Sequence, residues 1–378
     1  MTGPRTVLFL HSSAGRYGAD RQLALLARGL DPTRYRPLVV LAMDGALRRD
    51  LQDAGVEVLV RPLAVLRRAS MSARGLAATT GAVARDAGGL SRLVRARDVS
   101  LIHTNTSVTL GGAAAARTAR VPHVWHMREI YTGFERFWPG YRRLLLSADA
   151  LPCVSQATRA QLGPTPKAHV LHDGLALAPR RARRSTARTA LNLPADAFVV
   201  AILGRISSWK GQDVLIRALA QGADDTIALI AGDPWRGGES RLADLHELAR
   251  SLGVADRVRF AGFRPDVENI YGAADIVAVP STQPDPLPNS ALEAAAAGCC
   301  VVAADHGGLP EILTDGVTGR LVKPADPGAL ARALAELRAD PAVRDRLGAA
   351  AAADVRERFS AARMLEQAQA LYDGLMPS

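Results

Sequence analysis

Phe198-Val-Val-Ala-Ile-Leu-Gly204-Arg205-Ile-Ser-Ser-Trp209-Lys210-Gly211 is the stretch on which the fold turns. A short, continuous apolar run bounded by a glycine reads as a buried strand, and the residues after Gly211 read as the start of a helix. Strand, glycine turn and helix form the repeating unit of a parallel α/β sheet. The Gly-Lys-Ser/Thr order of a Walker loop is missing. The turn carries instead Arg205 and Lys210, five residues apart. A guanidinium fork and an ammonium point charge can neutralise a diphosphate directly, which would make a divalent metal unnecessary.

The same alternation extends in both directions. Upstream, Val7–Leu10, Leu38–Leu41, Val56–Val60, Leu101–His103, His123–Trp125 and His169–Leu171 read as strands, with a helix over Asp20–Leu30. Downstream, Ile227–Ile230, Val258–Phe260, Ile276–Val279 and Cys300–Val302 continue the second series. The expected architecture is α/β, with two Rossmann-like βαβ domains facing a central cleft. Residues 1–177 are expected to form the first domain and residues 189–360 the second. Residues 178–188, with Arg180, Arg181, Arg183, Arg184 and Arg188, read as a solvated basic linker. In the last segment, residues 361–378, Met364, Leu365, Ala368 and Leu371 fall at helical spacing, so this helix is expected to pack back on the first domain.

Composition narrows the partners. Of 378 residues, 48% are hydrophobic and 22% charged, the balance of a globular chain. Net charge is +10, yet the only lysines are Lys167, Lys210 and Lys323, so the charge is almost all arginine. No zinc-finger spacing, RNA-recognition motif or aromatic-basic stripe accompanies it, and nucleic acid is not an expected partner. Phosphates, acidic glycans and anionic lipid headgroups fit a basic surface better. Cys153, Cys299 and Cys300 are odd in number, and two are adjacent in an apolar run, which supports neither a disulfide framework nor a metal cluster. With no signal-peptide or membrane-spanning run, a cytoplasmic location with at most peripheral membrane contact is expected.

The most specific chemistry lies in Pro280-Ser-Thr-Gln-Pro-Asp285-Pro-Leu287-Pro288-Asn289-Ser-Ala-Leu-Glu293. Two carboxylates, Asp285 and Glu293, are separated by seven residues across a proline-rich loop that runs into a helix. The start of that helix offers backbone N–H groups around Leu287–Ala291 and the positive end of its dipole. Diphosphates bind such ends.

From Val199 to Leu337 the chain resembles glycosyltransferase family 4, the retaining, nucleotide-sugar-dependent enzymes of GT-B fold. The resemblance rests on Gly204-Arg205, Lys210-Gly211, Ala231-Gly232-Asp233, Gly262-Phe263, Ala274-Asp275, Pro280-Ser281, Glu293-Ala294, Gly298 and Gly307-Gly308-Leu-Pro-Glu311, in that order. It implies that Arg205 and Lys210 hold the diphosphate and that Glu293 bonds the ribose hydroxyls. Gly204, Leu287, Pro288 and Asn289 would line the donor site, with Phe263 and Arg264 beside the base. Asp285 stands where the family usually has Glu, at the position that contacts the donor sugar. In the first half, Tyr17-Gly18-Ala19-Asp20-Arg21 looks like the family's Gly-Gly-Ala-Glu-Arg loop, with Gly18 close to the donor. His126, in Trp125-His-Met-Arg128, falls where the family carries a histidine near the donor sugar, and Ser155 and Asp173-Gly174 complete the match.

The acceptor side is read less directly. His103, Arg128 and Tyr131 are its candidate residues, with His103 equally readable as structural. Tyr131, Phe134, Phe137, Trp138 and Tyr141, with Arg136, Arg142 and Arg143, form an aromatic-basic segment suited to core packing first, and to an acceptor or membrane surface second. Arg67, Arg68, Arg74, Arg85, Arg92, Arg95 and Arg97 would line a solvated helix face, or one resting on anionic lipid.

The expected reaction is transfer of a sugar, with retention, from a nucleoside diphosphate sugar to a hydroxyl of a glycan, lipid-linked or small-molecule acceptor, without cofactor or metal. A sugar-nucleotide epimerase of the same fold and a non-catalytic binding homologue are the alternatives. A nicotinamide-dependent oxidoreductase is disfavoured, because Ser12-Ser-Ala-Gly15-Arg-Tyr-Gly18 lacks the Gly-x-Gly-x-x-Gly spacing.

Overall fold

The computed structural model describes residues 3–66, 72–175, 179–222, 225–234 and 237–376. The chain divides into two compact units, Met1–Ala176 with Ala361–Ser378, and Leu177–Ser360.

In the first unit, β1 (Arg5–His11), β2 (Tyr35–Leu41), β3 (Glu57–Val60), β4 (Val99–Thr104) and β5 (His123–Trp125) form a parallel sheet ordered β3-β2-β1-β4-β5. The central β1 is apolar on both faces, as a sheet covered by helices on both sides requires. Val7 and Phe9 join Leu23, Leu26, Tyr35 and Leu101 on one face, while Leu8 and Leu10 meet Leu90, Val94 and Ala115 on the other. The first face is completed by Met364, Ala368, Tyr372 and Met376 of the helix Ala361–Leu375 and the residue after it. Gly174 lets the chain meet the start of that helix: a Cβ there would lie 2.8 Å from the Ala361 Cα.

Two further short strands, β6 (Leu151–Cys153) and β7 (Ala168–Val170), pair in parallel beside this sheet. β6 escapes sequence reading because it has three residues, one of them proline.

The second unit holds β8 (Phe198–Leu203), β9 (Thr226–Ala231), β10 (Val258–Gly262), β11 (Ile276–Val279), β12 (Cys300–Ala304) and β13 (Arg320–Val322), all parallel, in the order β10-β9-β8-β11-β12-β13. β13 is a three-residue edge strand whose charged first residue hides it in the sequence.

In the basic linker Arg180, Arg181, Arg183 and Arg184 are exposed as expected, and the solvated reading is corrected at Arg188. Ala178 lies outside the described residues, but Arg184–Ala190 is a helix, and Arg188 is only 2% exposed. Its guanidinium donates to the carbonyls of Pro194 and Ala273 and to Asp275, 2.9 Å away. Arg181 likewise donates to the carbonyls of Tyr271, Ala274 and Gly298. These arginines satisfy the buried carbonyls at element ends, which apolar side chains could not do.

Candidate active site

In open parallel sheets a ligand site forms beyond the carboxyl ends of the strands, where the strand order reverses. In the second unit that point lies between β8 and β11. The loops leaving these strands are pressed together, and glycine makes this possible. Gly211 has φ +78°, and a Cβ there would lie 1.9 Å from the carbonyl oxygen of Pro280, the residue that follows β11. The Thr282 N–H donates across the same contact to the Trp209 carbonyl at 2.8 Å. Gly204, with φ +143°, turns the chain out of β8, and the Gln212 amide holds the Arg205 carbonyl at 3.0 Å.

Here the structure brings Lys210 and Asp285 together. The ammonium donates to Asp285 Oδ2 at 2.5 Å and sits 4.3 Å from the centre of the Trp209 ring. The Asp285 loop is itself clamped from behind. Gly308 N–H donates to the Asp285 carbonyl at 2.8 Å, and His306 Nε2 donates to the Ser281 carbonyl at 2.9 Å. Side chains would not fit: a Cβ on Gly307 would lie 2.3 Å from the Asp285 oxygen, and one on Gly308 2.1 Å from the Pro286 oxygen. The landmark Gly307-Gly308 is therefore a backbone-to-backbone contact, with Leu287 buried beside it.

The loop ends at Pro288, the N-cap of the helix Asn289–Ala296. The run of N–H groups expected around Leu287–Ala291 is shorter than its sequence implies, because Ala291 N–H already donates to the Pro288 carbonyl at 3.0 Å. Glu293, one turn into the helix, is buried, and Tyr271 donates its hydroxyl to Glu293 Oε2 at 3.3 Å. At the end of β10, Phe263 is 53% exposed, with its N–H bound to Asp233 Oδ1 at 3.1 Å. Arg264 is a bidentate partner of Asp266, at 2.8 and 2.6 Å. The hydrogen bonds from Arg264, then Asn269, hold the Asp266 carboxyl below its ordinary range.

In the first unit the order reverses between β1 and β4. Asn105 donates to His11 Nδ1 at 3.2 Å, which leaves His11 Nε2–H to donate to Asp20 at 2.9 Å. Ser13 and the Tyr17 N–H also donate to Asp20, at 2.5 and 2.9 Å. Burial alone would raise the Asp20 pKa; the His11 contact and these donors outweigh it and lower the pKa. Asp20 thus fixes the loop that leads into the helix Gly18–Gly29, with Gly18 as its first residue.

His126 is fully buried next to His103: His103 Nε2 lies 3.3 Å from His126 Nδ1, and His103 Nδ1 lies 2.6 Å from the Tyr372 hydroxyl. Burial first, then the positive charge of Arg128, pushes both imidazoles well below their ordinary pKa, so both are neutral. Arg128 pairs with Asp173 at 2.6 Å, both side chains 5% exposed. The Asp173 carboxyl is raised by burial, with Arg128 opposing. Ser155 caps the helix Gln156–Ala160 through the Thr158 N–H.

Tyr131 is engaged internally, its hydroxyl 2.7 Å from Ser107 Oγ. Tyr131, Phe134 and Trp138 pack on a cluster containing Trp125, Tyr141 and Leu145, so core packing accounts for most of the aromatic segment. Phe137 and Leu144 remain 45% and 40% exposed. Of the basic stretch, Arg67 and Arg68 lie outside the described residues. Arg74, Arg85, Arg92 and Arg95 lie on the helix Ala73–Ala96, and Arg97 pairs with Glu57 at 2.7 Å.

Sequence reading missed Trp209 as a platform for Lys210, Tyr271 as the partner of Glu293, and Tyr372 as the partner of His103. Only Trp209 has a local signal, its adjacency to Lys210.

Residues 183–354 match the family described as glycosyl transferases group 1, and residues 17–174 match the glycosyl transferase 4-like domain. The chain is 39% identical over 192 residues to a D-inositol 3-phosphate glycosyltransferase of Corynebacterium diphtheriae, covering 49% of this chain and 44% of that protein. It is 38% identical over 265 residues to the protein of the same name from Mycolicibacterium vanbaalenii, covering 66% and 56%. The match thus spans about half the length of these curated relatives. The crystal structure of Anabaena HepE with UDP and glucose superposes with a TM-score of 0.84 at 30% identity, covering 98% of this chain and 99% of that one. The HepE complex with UDP-glucose gives 0.84 at 29% identity, covering 98% and 100%.

Proposed function

The chain belongs to the group 1, family-4-like glycosyltransferases of GT-B fold, and on that premise we propose that it moves a glycosyl group from a nucleoside diphosphate sugar to an acceptor hydroxyl. The observation that carries the reading is the second unit's switch point, where Lys210 is held on Asp285 and Trp209 between the ends of β8 and β11. This is a cation mounted on a glycine-clamped backbone, followed by a helix start with a buried carboxylate one turn in.

In this reading Arg205, Lys210 and the helix start at Pro288 bind the diphosphate. Glu293, oriented by Tyr271, accepts from the ribose hydroxyls, and the exposed Phe263 ring with Arg264 lies against the base. Gly204, Leu287 and Asn289 line the donor, and Asp285 faces its sugar. The C1–O bond to the phosphate breaks as the bond from C1 to the acceptor oxygen forms on the same face, with the acceptor proton passing to the leaving phosphate. The configuration is retained. The protein contributes orientation and fixed charge, which stabilises the diphosphate as it departs. Because Arg205 and Lys210 supply that charge, no metal is required.

A uridine diphosphate sugar is the first donor to test, since HepE was crystallised with UDP-glucose. An inositol phosphate, after the names of the curated relatives, is the first acceptor; glycans and lipid-linked acceptors follow. No helix among the described residues is long and apolar enough to cross a membrane. The reaction is assigned to the cytoplasm, with exposed Phe137 and Leu144 and the nearby arginines available to an anionic bilayer.

The test is a thermal-shift panel of uridine, guanosine, adenosine and deoxythymidine diphosphates, followed by transfer assays with and without EDTA. A nucleotide at 100 times its Kd should stabilise the fold by about 2.7 kcal/mol. Transfer should persist in EDTA, with the product keeping the donor's anomeric configuration by NMR. Failure of all four nucleotides to stabilise the protein, with no donor consumed, would sink the reading; EDTA-abolished transfer would remove its metal-free part.

A further inference from the structure

The helix Ala361–Leu375 places one polar side chain among the apolar ones it buries on the first unit: Tyr372, 0% exposed. Its hydroxyl lies 2.6 Å from His103 Nδ1, and His103 Nε2 lies 3.3 Å from His126 Nδ1. The rings are held by packing as well. Tyr372 meets His103 edge-on, with centroids 5.8 Å apart and planes at 87°, and Phe9 lies 5.2 Å from His103 on β1. The far end of the series, His126 Nε2, is buried and has no hydrogen-bond partner among the described residues.

The protons in this chain can be assigned. Both imidazoles are neutral, so each carries one N–H and one acceptor nitrogen. The described residues offer the buried Tyr372 hydroxyl no hydrogen-bond partner except His103 Nδ1. If Nδ1 held the proton, the phenol O–H would have no acceptor, at a cost of about 1–3 kcal/mol. Tyr372 is therefore the donor, and His103 carries its proton on Nε2. That N–H donates to His126 Nδ1, which leaves the His126 proton on Nε2. The chain has one direction, from phenol to imidazole to imidazole, and it ends in an N–H with nothing of the protein to receive it.

We propose that Tyr372 and His103 are positioning residues that fix the tautomer and ring of His126, so that His126 presents an Nε2–H donor to an accepting oxygen of a ligand beyond the carboxyl end of β5. The identity of that oxygen rests on the function proposed above; the direction of the relay does not. The reverse tautomer would present a lone pair at the same position. A ring oxygen, a carbonyl, or a hydroxyl whose own proton is engaged elsewhere accepts from the first and has nothing to give the second. The relay thus makes the site selective for oxygens that accept, and the last helix sets that selectivity from a position remote in sequence.

The experiment uses the full chain labelled with 15N-histidine, with two-bond proton–nitrogen correlations recorded near neutral pH for wild type and Tyr372→Phe. In the wild type, both His103 and His126 should show the Nε2–H pattern. In Tyr372→Phe, His103 should lose that single pattern and His126 should follow. The kcat/KM for transfer should fall about tenfold, the worth of one misdirected hydrogen bond. The nucleoside diphosphate Kd, which a general loosening of the fold would move, should stay the same. An Nδ1–H pattern for His126 in the wild type overturns the relay, and that measurement needs no variant to fold. Unchanged tautomers and unchanged kcat/KM in Tyr372→Phe overturn the positioning role. Because the tautomers are read in the free protein, a correct wild-type pattern that shifts in the variant supports the relay even if no donor is turned over, and the failure then falls on the proposed function alone.

Discussion

Lys210 and Glu293 are held by different means, and their removal should be told apart. The Lys210 ammonium rests on Asp285 and the Trp209 ring, a mount that leaves it able to meet a second anion. In the proposed reaction it works on charge that develops as the diphosphate departs, so Lys210→Ala should lower kcat by about 10²–10³ while the nucleotide Kd moves less. Glu293 is buried and already oriented by Tyr271, so its hydrogen bonds would form equally in ground and transition states. Glu293→Ala should weaken nucleoside diphosphate binding by about 10–100-fold, measured by calorimetry, from the loss of hydrogen bonds to a charged group. Both residues stand out in the sequence as candidates because both lie within short motifs whose order carries meaning. Their mounts do not: Tyr271 is 22 residues from Glu293, and Asp285 is 75 from Lys210.

The elements around the site succeed through the absence of side chains. In Gly211→Ala, φ +78° and a Cβ 1.9 Å from the Pro280 oxygen would have to be relieved by separating the β8 and β11 loops. Gly308→Ala would push on the Pro286 carbonyl and so on the Asp285 loop. Both variants should fold, since the strained contacts lie in loops outside the strand core. Both should lose nucleotide affinity out of proportion to stability, with a loss of roughly 1–3 kcal/mol in each unfolding free energy. Urea unfolding and calorimetry on the same samples give both numbers. The strands of the two sheets were readable from apolar runs bounded by turns. β6 and β13 were not, being three residues each, one with a proline and one at an edge. Arg188 misled for a related reason. A charged residue in such a cluster looks solvated until its acceptors, the Ala273 carbonyl and the Asp275 carboxylate, are brought to it from about 85 residues away by the fold.

For the whole molecule, the first unit buries His103, His123 and His126 as neutral imidazoles, all lowered chiefly by burial, His123 to about 3. Their folded pKa values lie below the unfolded value of about 6.5, so below that pH the unfolded chain binds protons that the folded one refuses. Stability is full above about pH 6.5 and declines as pH falls, by up to about 1.4 kcal/mol per pH unit for each histidine. Urea midpoints should therefore drop steeply between pH 7 and 5, and His123→Gln should reduce the slope. A flat profile over that range would show that these rings can protonate in the native state. The helix that carries Tyr372 has another consequence, one of timing. The face of the first sheet that receives Met364, Ala368 and Tyr372 is built from residues made early, but its cover is the stretch Ala361–Leu375. During synthesis at about 5–20 residues per second, the ribosome must produce the whole of the second unit before that face can close. A nascent chain therefore carries an open apolar surface for roughly 10–40 s, and should engage a holdase for that interval. The amino-terminal unit, although begun first, is the last to be finished.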